Sequence, residues 1–136
     1  MAEFISLANL IFDSGTLVLV WLVQLVIYPS FAYYQKNDLI RWHRSYTKRV
    51  TYVVLPLMLG QLILCFFSIY LEVNIATLAR LVMVLALWLT TFMVFVPLHS
   101  KIEESHQTDT IITKLKMKNW LRTALWTLLF LINFAD

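Results

Sequence analysis

The sequence IATLARLVMVLALWLTTFMVFVP, residues 75–97, contains one charged side chain, Arg80. Three further apolar runs occupy residues 7–29, 50–70 and 120–135. A helix needs roughly 17 to 25 apolar residues to cross the hydrocarbon core of a bilayer, and the runs approach or exceed that length. Lipid offers no partners for backbone N–H and C=O groups, so each run is predicted to be a helix. The pattern therefore predicts a membrane protein with four spans.

The overall composition agrees with this prediction. Hydrophobic residues make up 60% of the 136 residues, charged residues only 14%, and the mean hydropathy is +0.74. Soluble domains have about 45 to 50% apolar and about 25% charged residues. No Gly/Ser linker or low-complexity tract divides the chain, so residues 1–136 are predicted to form one domain. The predicted fold is all-α: a polytopic membrane four-helix bundle, antiparallel and up-down, with helical extensions on the cytoplasmic side.

The basic residues are concentrated on one side of the predicted spans. Ten of the eleven Lys and Arg residues lie in or beside two polar segments, residues 30–50 and 98–122. The N-terminus, the connection near Glu72 and the C-terminal Asp136 carry only acidic side chains. Because basic loops stay in the cytoplasm, both termini are predicted to lie outside. No cleaved signal peptide is expected, since no basic residue precedes the first run and no small-residue cleavage site follows it.

The same charges predict the partners. A pI near 9.1 would suit nucleic acid, but no fold or motif for nucleic-acid binding accompanies the charge, so none is expected. The basic residues lie directly beside membrane spans, where they attract anionic lipid headgroups. The expected partners are the lipid bilayer and these headgroups.

The two cytoplasmic segments are predicted to be helical. Each is about 20 residues long, and unstructured connections longer than about 12 to 15 residues are uncommon. Asn37 or Asp38 is predicted to cap a helix that continues into the second run, and Thr108 or Asp109 one that continues into the fourth. The outer connection at residues 71–74 is short, so the second and third helices are predicted to be antiparallel neighbours.

Asp13 and Arg80 stand out as charged residues well inside the apolar runs. Asp13 is about 8 residues from the outer start of the first span and Arg80 about 5 from that of the third, so their depths differ by about 5 Å. They are predicted to form a structural ion pair between these spans. The alternatives are a charged site for a proton or an anion, and an Arg80 that extends to the outer interface.

A polar stripe follows helical spacing along the first span, at Asp13, Thr16, Val20, Gln24 and Tyr28. In the second span, Gln61 lies five turns from His43, on the same face. Gln24, Tyr28 and Gln61 are candidate substrate-binding residues. The alternative for the two glutamines is that they form hydrogen bonds between helices.

All three histidines, His43, His99 and His106, lie at the cytoplasmic end. His99, Glu103 and His106 have i, i+4, i+7 spacing, which places possible metal ligands on one helical face, with His43 as a fourth. A haem held by His43 and His99 is another hypothesis. The third is a solvated amphipathic face without a metal. The cofactor is therefore left open.

The candidate catalytic residues are His43, Tyr46, Arg49 and His99. At 1.5 Å per residue, His43 lies roughly 25 Å and His99 roughly 20 Å inward of the midpoints of their spans, at nearly the same level. Tyr28 ends the polar stripe of the first span just below them. A convergence of titratable groups in a half-buried place favours a functional site, although a belt facing the headgroups has the same composition.

Several segments carry a family resemblance, which spans nearly the whole chain: WLVQLVIYPSF at 21–31, WHRSYTKRV at 42–50, PLM at 56–58, VPLH at 96–99 and NWLRTALWT at 119–127. The pattern resembles a family of small four-helix integral membrane proteins of bacteria. It is more remotely similar to the anthrone-oxygenase-like membrane proteins. This chain has Tyr46 and Gln61 where such relatives often have a second His and an intramembrane Glu. The resemblance implies the inner membrane of a bacterium, and oxygen or redox chemistry on a hydrophobic substrate.

Two functions remain. The first is a redox or oxygenase-like membrane enzyme that acts on an amphipathic substrate, such as a quinone, at the cytoplasmic end of the bundle. The second is a non-catalytic subunit or scaffold that packs against another membrane protein. A channel or transporter ranks third, because the sequence has no inverted repeat or pair of broken helices.

Overall fold

The computed structural model of the protein describes residues 1–104 and 108–134, and every regular element in these ranges is helical. We number the helices α1 (Ala2–Tyr33), α2 (Lys36–Leu71), α3 (Ile75–Glu104) and α4 (Thr108–Ile132). The predicted all-α class is thus confirmed. Helices α2 and α3, which are separated by only three residues, pack against one another, as do α1 and α2, and α1 and α4.

Three of the helices, α1, α2 and α3, are long and apolar enough to cross a membrane. These helices contain the first three apolar runs, so the prediction of a membrane protein is supported. The fourth run begins in the second half of α4. There it follows Lys114, Lys116 and Lys118, and α4 does not have an apolar stretch of the same length.

The surface of the spanning helices differs from that of a soluble protein, because large apolar side chains cover it; examples are Phe4, Ile11, Val18, Phe66, Val82 and Phe92. The interior contains an apolar core. Polar side chains are buried beside this core; they include Asn9, Asp13, Thr16, Gln24, His43, Gln61, Arg80, Asn119, Arg122 and Thr123. An apolar surface with polar groups turned inward suits a chain whose solvent is lipid.

Two helices contain a wider, π-helical turn shortly before a proline. The turn at Val23–Ile27 precedes Pro29 in α1, and the turn at Thr91–Phe95 precedes Pro97 in α3. Proline lacks a backbone N–H and its ring crowds the preceding turn, and a widened turn can absorb both effects. Both helices continue past their prolines, so they extend beyond the ends of the apolar runs.

The predicted helical extensions beyond the apolar runs are present, but one of the predicted caps is wrong. Helix α2 already begins at Lys36 without a side-chain cap, and the Asp38 carboxylate accepts a hydrogen bond from Arg41 at 2.6 Å. The first described residue of α4 is Thr108, which is already helical, so the cap predicted at Thr108 or Asp109 stays a prediction. The clearest cap is at the start of α3, where the side chains of Asn74 and Thr77 each accept a hydrogen bond from the other's backbone N–H, at 2.9 and 3.0 Å.

The carboxylate of Asp13 in α1 is bound by side chains of α2, of α3 and of the turn that follows α4. Its Oδ2 accepts hydrogen bonds from Arg80 Nη1 and Asn133 Nδ2, both at 2.7 Å, and its Oδ1 accepts one from Gln61 Nε2 at 2.7 Å. Arg80 Nη2 also donates to Asn133 Oδ1 at 2.9 Å. The exposed fraction is 0% for the Asp13 side chain and 5% for that of Arg80, so Arg80 does not extend to the interface. We call these four residues the Asp13 cluster.

We predict that Asp13 and Arg80 are energetically coupled. Asp13→Asn and Arg80→Gln each leave one buried charge without its partner, which typically lowers the free energy of unfolding by about 3 to 5 kcal/mol. The double variant should lose less than the sum of the two, by more than about 1 kcal/mol. Equilibrium unfolding in mixed detergent and SDS micelles measures each variant.

The matched control is the exposed pair Asp38 and Arg41, whose side chains are 53% and 83% exposed. Asp38→Asn and Arg41→Gln should each change the free energy of unfolding by less than about 0.5 kcal/mol. Strict additivity of Asp13→Asn and Arg80→Gln would contradict the coupling.

Candidate functional site

Three side chains from three helices form a hydrogen-bonded chain at the end of the bundle that carries the basic segments. His43 Nε2 lies 2.7 Å from His99 Nδ1, and His99 Nε2 lies 3.1 Å from the Tyr28 hydroxyl. The two imidazole rings are stacked, with centroids 5.0 Å apart. Because α1 contributes Tyr28, α2 His43 and α3 His99, these contacts hold the three helices together. We call the three residues the histidine chain.

The π-helical turn in α3 explains why His99 faces inward. In an uninterrupted α-helix, the 19 positions between Arg80 and His99 would place these side chains about 100° apart around the axis. A π-helical turn accommodates one extra residue and removes about that much rotation. Arg80 and His99 therefore both face the other helices.

Glu103 lies beside the histidine chain, at ion-pair distance from His43 but without a hydrogen bond to it. Its Oε1 lies 3.8 Å from His43 Nδ1, and its Oε2 accepts hydrogen bonds from Arg44 at 3.2 and 3.3 Å. A carboxylate is only an acceptor, so it favours the His43 tautomer with the proton on Nδ1. His43 Nε2 then accepts from His99 Nδ1–H, and His99 Nε2 accepts from the Tyr28 hydroxyl. In the histidine chain, each hydrogen bond is thus donated in the direction from Tyr28 towards Glu103.

The histidine chain borders a cavity of about 280 Å³, which we call the inner cavity. It extends along α2 from His43 to Val54, a distance of roughly 16 Å at 1.5 Å per residue. The polar side chains at its wall include Tyr28, His43, Tyr46, His99, Asn119 and Arg122. The apolar ones include Leu19, Val20, Val50, Val54, Phe95 and Trp126. The cavity therefore combines a polar part with an apolar wall.

The cavity opens between α2 and α3. Thr51, Val96 and Ser100 belong to its lining and are exposed, while Thr47 is half-buried. Val50, Thr51 and Val96 mark the inner ends of apolar runs, so this opening lies where the hydrocarbon of the membrane would give way to the headgroups. A molecule dissolved in the bilayer would have direct access to it.

Three lining side chains have a buried polar atom without a hydrogen-bond partner among the described residues: Asn119 Oδ1, Arg122 Nε and His43 Nδ1. Arg122 is only 8% exposed, and its guanidinium carbon lies 4.2 Å from the ring centroid of Phe95 and 4.8 Å from that of Trp126. Buried polar groups are normally paired. The inner cavity thus retains hydrogen-bonding capacity that the chain itself does not use.

The predicted basic residue of the site lies outside the inner cavity. Arg49, which was expected to join His43 and Tyr46, is exposed and does not line the inner cavity. Arg122 supplies the buried cation instead. In the sequence, Arg122 belongs to the basic segment 98–122. Its position two residues inside the apolar run 120–135 is a signal of burial.

The two glutamines are engaged between helices, as their alternative interpretation proposed. The Gln24 amide accepts from Asn119 Nδ2 at 2.9 Å and donates to the Lys116 carbonyl at 3.3 Å. Gln61 donates to Asp13 and accepts from Trp126 Nε1 at 3.1 Å. Neither glutamine lines the inner cavity, whereas Tyr28 does. Of the three candidate substrate-binding residues, only Tyr28 is therefore placed to contact a ligand there.

The hypotheses of a metal or haem site meet a geometric difficulty. His106 lies outside the described residues, and among residues 1–104 and 108–134 no three His, Cys, Asp or Glu side chains are grouped closely enough to hold a metal ion. Both ring nitrogens of His99 are engaged in hydrogen bonds. An ion held by both His43 and His99 would need nitrogens about 3.3 Å apart in a tetrahedral site, and about 4 Å apart on opposite sides of a haem iron, not 2.7 Å. The observed arrangement of these two histidines does not fit a shared metal or haem iron.

Burial sets the protonation state of the histidine chain. His43 and His99 lie outside the apolar runs 50–70 and 75–97, but both are enclosed by neighbouring helices. Burial lowers the pKa of His43, an effect that Glu103 partly offsets. Burial also lowers the pKa of His99, and the neighbouring His43 adds to this effect. Both imidazoles are therefore neutral at pH 7.

Comparison with known protein families, with curated proteins and with solved structures finds no match to this chain. The function is therefore inferred from the chemistry of the inner cavity.

We predict that the folded protein loses stability as the pH falls below about 6.5. Both imidazoles have a lower pKa in the folded than in the unfolded chain, so below about 6.5 the unfolded chain binds protons that the folded chain does not. The free energy of unfolding should fall by roughly 1 to 2 kcal/mol between pH 7.5 and 5.5. Equilibrium unfolding in detergent at the two pH values measures it.

The His99→Gln variant provides the control. It removes one of the two titrating groups, so the difference in stability between pH 7.5 and 5.5 should be smaller than in the unmodified protein. Equal stability of the unmodified protein at both pH values would show that the imidazoles are not buried as described.

Proposed function

We propose that the protein is an integral membrane enzyme that binds an amphipathic substrate in the inner cavity and exchanges protons with it through the histidine chain. The observation that carries this proposal is the cavity itself. It combines an apolar wall, polar groups without partners and an opening at the edge of the apolar runs. Ligand sites in proteins are typically apolar clefts with a few placed polar groups.

The histidine chain suits proton transfer. Tyr28 and His99 line the cavity, and the chain continues through His43 to Glu103, whose side chain is 29% exposed at the opening. Neutral imidazoles both donate and accept, so a proton can move between a bound substrate and the aqueous edge by successive transfers. In this proposal Tyr28 and His99 are the catalytic residues, and His43 and Glu103 position them. Tyr46 contributes to the polar wall.

The reaction class follows from the resemblance. Similarity to the anthrone-oxygenase-like membrane proteins favours a redox or oxygenase-like reaction on a hydrophobic substrate, for which the inner cavity is the place of binding. The alternative, a non-catalytic subunit or scaffold that packs against another membrane protein, needs only polar contacts such as those of Gln24 and Gln61. It gives no reason for the unpaired groups at His43, Asn119 and Arg122, and the enzyme is therefore preferred.

We further propose that the four helices form an antiparallel, up-down bundle that crosses the inner membrane of a bacterium four times, with both termini outside. The charge asymmetry supports this orientation, because the basic residues of the two polar segments would lie in the cytoplasm beside anionic headgroups. In this arrangement the inner cavity opens at the cytoplasmic leaflet.

Cysteine labelling tests the orientation. In a Cys65→Ala background, Ala2→Cys should react with a membrane-impermeant maleimide added outside intact cells, because the N-terminus lies outside. Ser45→Cys, in the first basic segment, should react only after the cells are permeabilised. Labelling of Ala2→Cys from the cytoplasmic side alone would contradict the proposed topology.

Blocking the cavity tests the proposed site. The fluorescent lipid cis-parinaric acid and its methyl ester accept energy from tryptophan, and their binding to the purified protein in nanodiscs can be titrated. Val54 lines the inner cavity, so Val54→Trp should fill it and reduce saturable binding at least about tenfold. The adjacent Val53 is 53% exposed and does not line the cavity, so Val53→Trp is the matched control and should bind normally. No saturable binding of either lipid to the unmodified protein would overturn the proposed function.

A further inference from the structure

Arg122 is a buried cation without a counter-charge. It is 8% exposed, and no carboxylate within the described residues lies at ion-pair distance from its guanidinium. The contrast with Arg80 is direct, since Arg80 is also buried, at 4% exposed, but forms an ion pair with Asp13 at 2.7 Å. A buried charge is costly unless it is paired, so the site around Arg122 is incomplete as the chain alone forms it.

The neighbours of Arg122 compensate for its charge only in part. The faces of Phe95 and Trp126, at 4.2 and 4.8 Å, attract a cation but do not neutralise it. Glu103, the one carboxylate that residues 1–104 and 108–134 contribute to the lining of the inner cavity, is already paired with Arg44 at 3.2 Å. Guanidinium Nε of Arg122, which is buried, has no hydrogen-bond partner in the described part of the chain. A ligand could therefore supply both the missing charge and the missing acceptor.

We propose that the substrate of the inner cavity is an amphiphile with an anionic headgroup, a carboxylate or a phosphate, that pairs with Arg122. This inference rests on the proposed function and narrows its substrate class. A guanidinium presents donors in a planar fork that matches both kinds of oxyanion. The apolar wall at Val50, Val54 and Val96 then accommodates the beginning of the apolar tail, which leaves through the opening between α2 and α3.

The experiment compares cis-parinarate with its methyl ester, which has the same tail but no charge, in nanodiscs of phosphatidylcholine. The unmodified protein should bind the acid at least about tenfold more tightly than the ester, since hydrogen bonds to a charged group contribute more than neutral ones. Arg122→Gln should abolish this preference and leave the affinity for the ester unchanged. Binding of the ester also reports that the cavity of the variant is intact. The exposed Arg49→Gln is the matched control and should keep the preference.

Each outcome decides a different claim. Equal affinity of the unmodified protein for acid and ester overturns the anionic headgroup but leaves the proposed function standing, whereas no saturable binding of either overturns the proposed function as well. A preference for the acid that survives in Arg122→Gln also overturns the role of Arg122. If that variant does not fold, Arg122→Lys, which keeps the charge but not the fork, should bind the acid less tightly and still prefer it to the ester. An unchanged affinity for the acid in Arg122→Lys contradicts recognition by the fork.

The source of the headgroup is distinguished by adding phosphatidylglycerol to the nanodiscs. If phosphatidylglycerol displaces cis-parinarate from the unmodified protein but not from the Arg49→Gln variant, displacement depends on a surface charge. That result would contradict a specific site. Displacement from both identifies a phospholipid headgroup as an occupant, and no displacement from either identifies a single-chain acid. Both of these last results support an anionic headgroup at Arg122.

Discussion

The buried carboxylate of Asp13 is the interaction on which the arrangement of the helices depends. It accepts three hydrogen bonds at 2.7 Å, from Gln61 of α2, Arg80 of α3 and Asn133 in the turn that follows α4. In an apolar surrounding an unpaired charge has no alternative partner, so the pairing restricts both the depth and the rotation of the helices. Apolar contacts alone would allow them to slide, because lipid is as apolar as the helix surfaces.

The Asp13 cluster and the inner cavity are connected through Trp126. The indole Nε1 donates to Gln61 Oε1 at 3.1 Å, and Gln61 in turn donates to Asp13. The same indole forms part of the cavity wall and lies 4.8 Å from the guanidinium carbon of Arg122. The two ends of the protein therefore differ in one respect. Polar groups are paired within the Asp13 cluster, whereas His43 Nδ1, Asn119 Oδ1 and Arg122 Nε at the inner cavity have no hydrogen-bond partner among the described residues.

Much of this could be predicted from the sequence, for identifiable reasons. Asp13 and Arg80 are rare charges in apolar runs, so their similar depths in the membrane are enough to predict that they pair. The common level of Tyr28, His43 and His99 follows from the rise per residue of a helix. The rotation of each helix about its own axis was harder to predict. Arg49 and Arg122 are both close to the ends of apolar runs, and only the packing of α4 against α1 and α3 decides which is buried. The π-helical turn that directs His99 inward has no simple sequence signal beyond the nearby Pro97. Whether Gln24 and Gln61 bind a ligand or other helices depends on partners that the sequence does not reveal.

The central claim is that the helices hold His43 and His99 in one partly buried hydrogen bond at the inner cavity. Nitrogen-15 NMR of histidine-labelled protein tests it most directly, because the chain has only three histidines and a His106→Gln variant leaves the two of interest. The account predicts two neutral imidazoles at pH 6 with a nitrogen–nitrogen coupling across the hydrogen bond between His43 Nε2 and His99 Nδ1. Two uncoupled imidazoles, each titrating near pH 6.5 as in water, would contradict it.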